Sequence, residues 1–401
     1  MEKVCPEKIC TGCEACVNIC PKSCIEMISD SEGFLFPHIN TAQCIDCGLC
    51  KKTCPVQNPI PYNPQGIVYA AYALDQQIRT TSSSGGLFSV LASYVLKNGG
   101  AVNGTKFDNL FNLKHHIATD TTLLAEFRGS KYVQSQPGTI YRQIKDILET
   151  GKPVLFTSTP CQIAGLYSFL GRKYTNLYTC DLVCHGVPSP MFFKDYIADM
   201  SNKYNLSEIK DFSFRKLDGW GKEATIILKN AKRISLSGID NYYTTAFFAK
   251  KNARFSCYNC AFATSRRVGD ITLGDFLGLG LIRHFPQDTT QGCSLVLINS
   301  PQGEALFNIV KNQLFAQRRN FCEAKRKNYQ LSHPIELPPC RNNFYTAYKT
   351  LSRQDFYATY IAPPPNNTLS LKSKILVRKM KNFILLCLYG FISKINFSKW
   401  G

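Results

Sequence analysis

Two copies of one cysteine pattern occupy the first 54 residues. Cys10, Cys13, Cys16 and Cys20-Pro21 form C-x2-C-x2-C-x3-C-P, and Cys44, Cys47, Cys50 and Cys54-Pro55 repeat it. Thiolate sulfur is a soft ligand, and four thiolates closed by a tight loop suit an iron–sulfur cube. Zinc ribbons use pairs of C-x2-C set further apart, not triplets closed by C-P. In a two-cluster arrangement the fourth cysteine of each run ligates the other cluster. The spacing therefore predicts one cluster on Cys10, Cys13, Cys16 and Cys54, and a second on Cys44, Cys47, Cys50 and Cys20. Such a segment carries single electrons.

The chain has 401 residues, of which 44% are apolar and 12% aromatic. That is enough for sizeable cores and for two or three domains, and it excludes a disordered chain. The 19 cysteines are an odd number, which argues against a disulfide framework. Met1–Cys5 lacks the apolar stretch of a secretory leader, so the expected setting is a reducing, cytoplasmic one. The formal net charge of +19 raises the question of nucleic acid. No nucleic-acid module accompanies it, and clusters on four thiolates carry negative charge that offsets part of it. No nucleic-acid partner is expected.

The expected fold class is α+β, with a ferredoxin-like module at residues 1–56 ahead of a mixed α/β body. Ile25–Ile28 and Phe34–Ile39 read as a short hairpin beneath the clusters. Residues 57–66, rich in proline, read as a linker. The body divides into 67–150 and 151–345, and 346–401 is a basic extension. Strands are expected at Ile67–Ala73, Pro153–Thr157, Leu177–Cys184, Ile271–Leu273 and Ser294–Asn299. Helices are expected at Leu87–Lys97, Ile140–Glu149, Pro160–Leu170, from Pro190 to about Met200, and at Gly303–Gln317. Ala224–Leu228 and Arg233–Leu236 read as a hairpin, and 320–368 as a surface wrap.

A looser cysteine set lies in the body. Cys257 and Cys260 form C-x2-C, Cys180 and Cys184 end a buried strand, and Cys161 opens a helix, where the dipole favours thiolate. Any four of these five can bind one more cluster. Cys293, Cys322, Cys340 and Cys387 lack partners at ligand spacing and read as small hydrophobes. Thr80–Leu87 places small residues before a helix, which allows a phosphate to approach exposed amides. Arg128–Ser135 adds cations and an aromatic ring.

The order of these features resembles the beta subunit of coenzyme F420 hydrogenase and dehydrogenase. The motifs are Ser83-Ser84-Gly85-Gly86, Gly129–Ser135, Thr159-Pro160-Cys161-Gln162, Cys184-His185-Gly186, and Cys257-x2-Cys260 followed by Gly269–Asp275. The resemblance covers residues 1–345, with the ferredoxin module as a fusion. It implies a flavin-binding body holding FAD at Ser83, Ser84, Gly85, Gly86, Ser130, Lys131 and Tyr132. It implies an inner 4Fe–4S cluster on Cys184, Cys257 and Cys260, with Cys161 as fourth ligand and Cys180 in reserve. It implies an oxidoreductase passing electrons among the clusters, FAD and an organic two-electron substrate. Flavin chemistry converts one-electron into two-electron traffic. The rivals are an F420-specific oxidoreductase and a non-catalytic electron-relay subunit. The expected partners are a small-molecule or deazaflavin redox substrate and a redox partner protein. No catalytic residue is assigned.

The last 31 residues, 371–401, hold seven Lys/Arg and no acidic residue. Phe383–Ile392 is apolar but too short to span a bilayer, which takes about 20 residues. A peripheral contact with an anionic membrane surface is the expected use of such a tail.

Overall fold

The computed structural model describes residues 3–204, 209–215, 221 and 223–362. They fall into two units, Met1–Thr350 and Leu351–Gly401. The described part of the second unit is a short helix, Arg353–Phe356, that continues as a π-helical turn, Tyr357–Ile361. The tail segment Phe383–Ile392 lies outside the described residues. Among the described residues no helix is long and apolar enough to cross a membrane.

At the N-terminal end, β1 (Ile25–Ser29) pairs antiparallel with β2 (Leu35–Ile39), Ile25 opposite Ile39. The Asp30 carboxylate closes the turn by accepting the amides of Glu32 (2.9 Å) and Phe34 (2.8 Å). Two short helices, Ala15–Ile19 and Leu49–Lys52, carry Cys16 and Cys50.

The body supplies β3 (Ile67–Ala73), β4 (Ala101–Phe107), β5 (Leu113–Ala118), β6 (Val154–Ser158) and β7 (Leu177–Leu182). A separate antiparallel sheet holds β8 (Ile209–Ser213), β9 (Ala224–Leu228) and β10 (Arg233–Leu236). Then come β11 (Ile271–Asp275), β12 (Ser294–Ile298) and β13 (Leu314–Arg319). The main sheet has the order β13-β3-β12-β11-β7-β6-β4-β5. Strands β4, β6, β7 and β11 are parallel, and the antiparallel pairings of β12 give β3 the same direction.

Both faces of this sheet are covered, which is why its central strands read as continuous apolar runs. Along β6, Val154 and Phe156 meet Ile144 and Ile163 on one side, while Leu155 meets Leu91 and Leu306 on the other. Helices Ile140–Glu149 and Pro160–Leu170 belong to the first face, and Leu87–Lys97 and Pro301–Val310 to the second.

Two expectations are corrected. The helix expected over Gly303–Gln317 begins at Pro301, capped by the Ser300 hydroxyl, and ends at Val310. Residues 314–319 are instead the edge strand β13, where Phe315 stacks on its cross-strand partner Tyr72 at 4.8 Å. Residues 320–350 do not wrap the surface. Helix Arg341–Thr350 buries Phe344, Tyr345 and Tyr348 in an aromatic core, Tyr348 standing edge-on to Phe192 at 4.6 Å.

The prolines at 57–66 sit in a strap fastened to the body. The Asn63 amide donates to the Arg267 carbonyl (2.8 Å), and the Tyr62 hydroxyl to the Ala261 carbonyl (3.1 Å). The ferredoxin-like module is fastened too. Tyr141 donates to the Cys13 carbonyl (2.8 Å), Arg142 to the carbonyls of Asn18 (2.7 Å) and Cys20 (2.9 Å), and Arg341 makes a fork with Glu32 (3.0 and 2.6 Å).

Candidate functional site

Each cysteine run turns inward through two left-handed residues at equivalent positions. In the first run they are Gly12 (φ 67°) and Glu14 (φ 61°), in the second Asp46 (φ 51°) and Gly48 (φ 72°). The left-handed region is sparsely populated by residues other than glycine, so the repeat extends from the sulfurs to the backbone that aims them.

Two recesses result. Cys10, Cys13, Cys16 and Cys54 line the first; Cys20, Cys44, Cys47 and Cys50 line the second. The fold thus carries Cys54 to the first run and Cys20 to the second. Among the described residues no three Cys, His, Asp or Glu side chains are gathered as one metal ion requires. A set of four thiols is the donor chemistry of an iron–sulfur cluster rather than of a hard cation.

Two further cysteines share these recesses and were not legible as members. Cys5 lines the first and Cys24 the second. Cys5 sits beside Cys10 and Cys54, and its thiol holds both of theirs below the ordinary cysteine value. The Cys24 and Cys20 sulfurs are 3.4 Å apart. The available signal was proximity alone: each flanks the first run by a few residues.

The body cysteines converge at the carboxyl ends of neighbouring parallel strands, the edge where open α/β sheets bind ligands. Cys161 opens the helix after β6, and Cys184 follows β7. Cys257 lies in the 3-10 turn Phe255–Asn259, and Cys260 caps it. Burial raises the Cys184 thiol, and the nearby charges of Cys257, Cys161 and Cys260 raise it further. Burial likewise pushes Cys257 up to about 12 and Cys260 to about 11, each helped by a neighbouring cysteine. Four crowded, half-buried thiols oppose one another's ionisation, so they fit a bound cationic centre that takes them as thiolates. Cys180 points elsewhere: it is fully buried on β7 in the apolar cluster with Leu155 and Ile271.

The first recess and the body set adjoin. Helix Ala15–Ile19 packs on helix Pro160–Leu170, and a Cβ at Gly165 would stand 3.2 Å from the Cys13 sulfur. A buried polar chain backs the body set. His115 joins Asn103 (3.0 Å) to Ser135 (3.1 Å), Ser135 donates to Gln162 (3.2 Å), and Thr159 links Gln162 (3.0 Å) with the Cys161 sulfur (3.3 Å).

The two segments assigned to flavin meet: the Ser130 hydroxyl donates to the Ser83 hydroxyl at 3.1 Å. Gly85 and Gly86, however, have packing reasons of their own. A Cβ on Gly85 would lie 2.4 Å from the Ala71 carbonyl, and the Gly85 amide already donates to the Ser294 hydroxyl (2.9 Å). Gly86 has φ 84°, and a Cβ there would meet Ile78 at 2.9 Å. The Ser84 hydroxyl accepts from Ser294 (3.3 Å). Lys131 donates to the carbonyls of Arg128 (2.7 Å) and Phe127 (3.3 Å), and burial lowers it to about 8. Tyr132 stacks on Phe247 at 4.2 Å. Within Gly269–Asp275, Asp270 joins β11 to β7 by accepting the Thr179 amide (2.8 Å), and Asp275 pairs with Arg215.

Comparison with known proteins gives matches along most of the chain. Residues 9–58 match the 4Fe-4S dicluster domain. Residues 68–139 match the N-terminal part, and 151–320 the C-terminal part, of the coenzyme F420 hydrogenase/dehydrogenase beta subunit. An uncharacterized polyferredoxin-like protein of Methanocaldococcus jannaschii is 38% identical over 58 residues, 12% of this chain and 34% of that protein. A ferredoxin of Rickettsia felis is 35% identical over 68 residues, 16% of this chain and 58% of that protein. The chain thus spans less than two thirds of either relative. A chain of the F420-reducing NiFe hydrogenase complex from Methanosarcina barkeri superposes with a TM-score of 0.47 at 18% identity, covering 68% of this chain and 91% of that one. The chain belongs to the coenzyme F420 hydrogenase/dehydrogenase beta-subunit family and carries a 4Fe–4S dicluster domain at its N-terminal end.

Proposed function

We propose that this protein is an iron–sulfur flavoprotein oxidoreductase with three 4Fe–4S sites in series. Cys20, Cys44, Cys47 and Cys50 hold the outer cluster. Cys10, Cys13, Cys16 and Cys54 hold the next, and Cys161, Cys184, Cys257 and Cys260 hold the inner one. One observation carries this reading: the four body cysteines converge at the sheet's carboxyl edge, and Cys13 of the first recess lies against the helix that bears Cys161. Cys47 is exposed while the first recess is walled by buried cysteines, so single electrons are exchanged with a redox partner at the outer site.

FAD, bound at the junction of Ser83 and Ser130 beside Tyr132, would supply the exchange between one-electron and two-electron chemistry. At that junction Ser83 and Ser130 offer hydroxyls and Tyr132 an aromatic edge, whereas Gly85, Gly86 and Lys131 shape the loops. The family's own description favours a deazaflavin as the two-electron partner.

Anaerobic purification with iron, sulfide and flavin quantitation tests this. The expected content is about twelve iron atoms per chain on the four-thiolate rule, with bound FAD. A chain saturating at eight iron atoms would remove the inner cluster. Removing both hydroxyls, Ser83→Ala with Ser130→Ala, should weaken FAD binding about tenfold, since each hydrogen bond contributes about 0.5–1.5 kcal/mol. Unchanged flavin affinity would place FAD elsewhere.

A further inference from the structure

Arg254 is 1% exposed, and its hydrogen bonds do not go to a carboxylate. Three other buried arginines have such a partner: Arg267 pairs with Asp181 (3.0 Å), Arg319 with Glu323 (2.7 Å) and Arg341 with Glu32 (2.6 Å), whereas buried Arg79 donates to the carbonyls of Asp288 and Gly292. Arg254 instead donates from Nε to the Cys10 carbonyl (2.7 Å) and from Nη1 to the Gln134 side chain (3.2 Å). Its Nη2 is buried with no hydrogen-bond partner among the described residues. The guanidinium lies 3.9 Å above the Phe36 ring. A cation removed from water needs a compensating negative charge, and hydrogen bonds to a carbonyl, an amide and a ring face do not supply one.

The position of Arg254 indicates where that charge is. It is three residues before Cys257, and the Cys257 amide donates back to its carbonyl (2.9 Å). Its other end holds the loop of Cys10. Its Nη1 lies 3.5 Å from where a Cβ on Gly12 would stand, in the loop between Cys10 and Cys13. One residue therefore ties the loop of the first recess to the turn that carries Cys257.

We propose that Arg254 is the shared counter-charge of the first and inner cysteine sets and holds their one-electron reduction equilibria in step. This rests on the reading that both sets hold 4Fe–4S clusters. Each reduction adds one electron and one negative charge, with no proton needed, and a fixed positive charge between the two sites stabilises the reduced state of either. Arg254 is thus a positioning residue for electron transfer. The outer set, to none of whose cysteines Arg254 donates, is the internal reference.

The test is reductive titration with dithionite, monitored by the EPR signal of each cluster, on the full chain with counted iron. Arg254→Met should lower the reduction equilibria of the first and inner clusters at least tenfold, about 59 mV per tenfold for one electron. The outer cluster should not move. Arg254→Lys keeps the charge and should leave all three within threefold of the parent. Full iron with unmoved potentials in Arg254→Met would overturn the proposal, as would an equal shift at all three sites. Should Arg254→Met fail to hold iron, Arg254→Lys decides: full iron and unmoved potentials support the role, and lost iron or a tenfold shift overturns it. Eight iron atoms in the parent protein would instead sink the three-cluster reading, and the shared role with it.

Discussion

The recess around Cys10, Cys13, Cys16 and Cys54 and the one around Cys20, Cys44, Cys47 and Cys50 are built alike, with the same spacing and the same left-handed positions. They differ in what is packed on them. Helix Pro160–Leu170 and Tyr141 pack on Cys13 of the first, Arg254 holds its Cys10 carbonyl, and all four of its cysteines are buried. The second keeps Cys47 exposed and Cys44 half-buried, with exposed Ile45 and Leu49 on its rim. A duplicated motif acquires direction from its surroundings: one copy faces solvent, the other faces the body cysteines. The hydrophobic shell around a cluster controls solvent access and potential, so two near-identical ligand sets need not behave identically.

The largest expected consequence is a difference in lability. Under an iron chelator in air, the outer cluster should be lost at least about tenfold faster than the first, because only its ligands meet water. EPR and iron content followed over time would read this, and equal rates would erase the asymmetry.

A smaller change sharpens the same contrast. In Gly165→Ala the new methyl would stand 3.0 Å from the Tyr141 hydroxyl and 3.1 Å from the Cys13 Cβ. Overpacking of this kind costs about 1–3 kcal/mol. Thermal unfolding should register that loss, and the spectrum of the first cluster should shift while the outer one stays put. An outer-cluster change of equal size would mean that the two recesses are not separately walled.

The subtlest effect depends on pH. Burial holds His115 down at about 4, from an ordinary value of 6.5. The unfolded chain takes up a proton below about 6.5 while the native imidazole stays neutral. Stability is therefore full above that pH and falls as pH drops towards 4. The loss amounts to about 3 kcal/mol at 1.36 kcal/mol per pH unit. His115→Gln should flatten this part of the profile, measured as urea-unfolding stability between pH 6.5 and 4. An unchanged slope would remove His115 as its source.

Much of this was legible in the chain because cysteine spacing is chemistry written locally. The crossing of Cys20 and Cys54 could be foreseen because a duplicated run implies it. Spacing alone could not tell that Cys161 lies near Cys184 while Cys180 is buried in an apolar cluster, since that depends on how the strands and helices pack. Gly85 and Gly86 show a second limit: glycines that admit a ligand and glycines that admit a neighbouring strand look the same in sequence. Residues 314–319 have a texture that continues a helix, and only the partner strand β3, with Tyr72 opposite Phe315, makes them a strand. Arg254 was unreadable because its partners at Cys10 and Gln134 lie 244 and 120 residues away.

The central claim is the order outer, first, inner, and spin coupling between reduced clusters measures it most directly. In fully reduced protein, EPR splitting of the inner-cluster signal should vanish in Cys16→Ala, which removes the neighbouring first cluster. It should survive in Cys47→Ala, which removes only the outer one. Splitting that survives Cys16→Ala and vanishes in Cys47→Ala would contradict the order, and with it the assignment of direction to the two recesses.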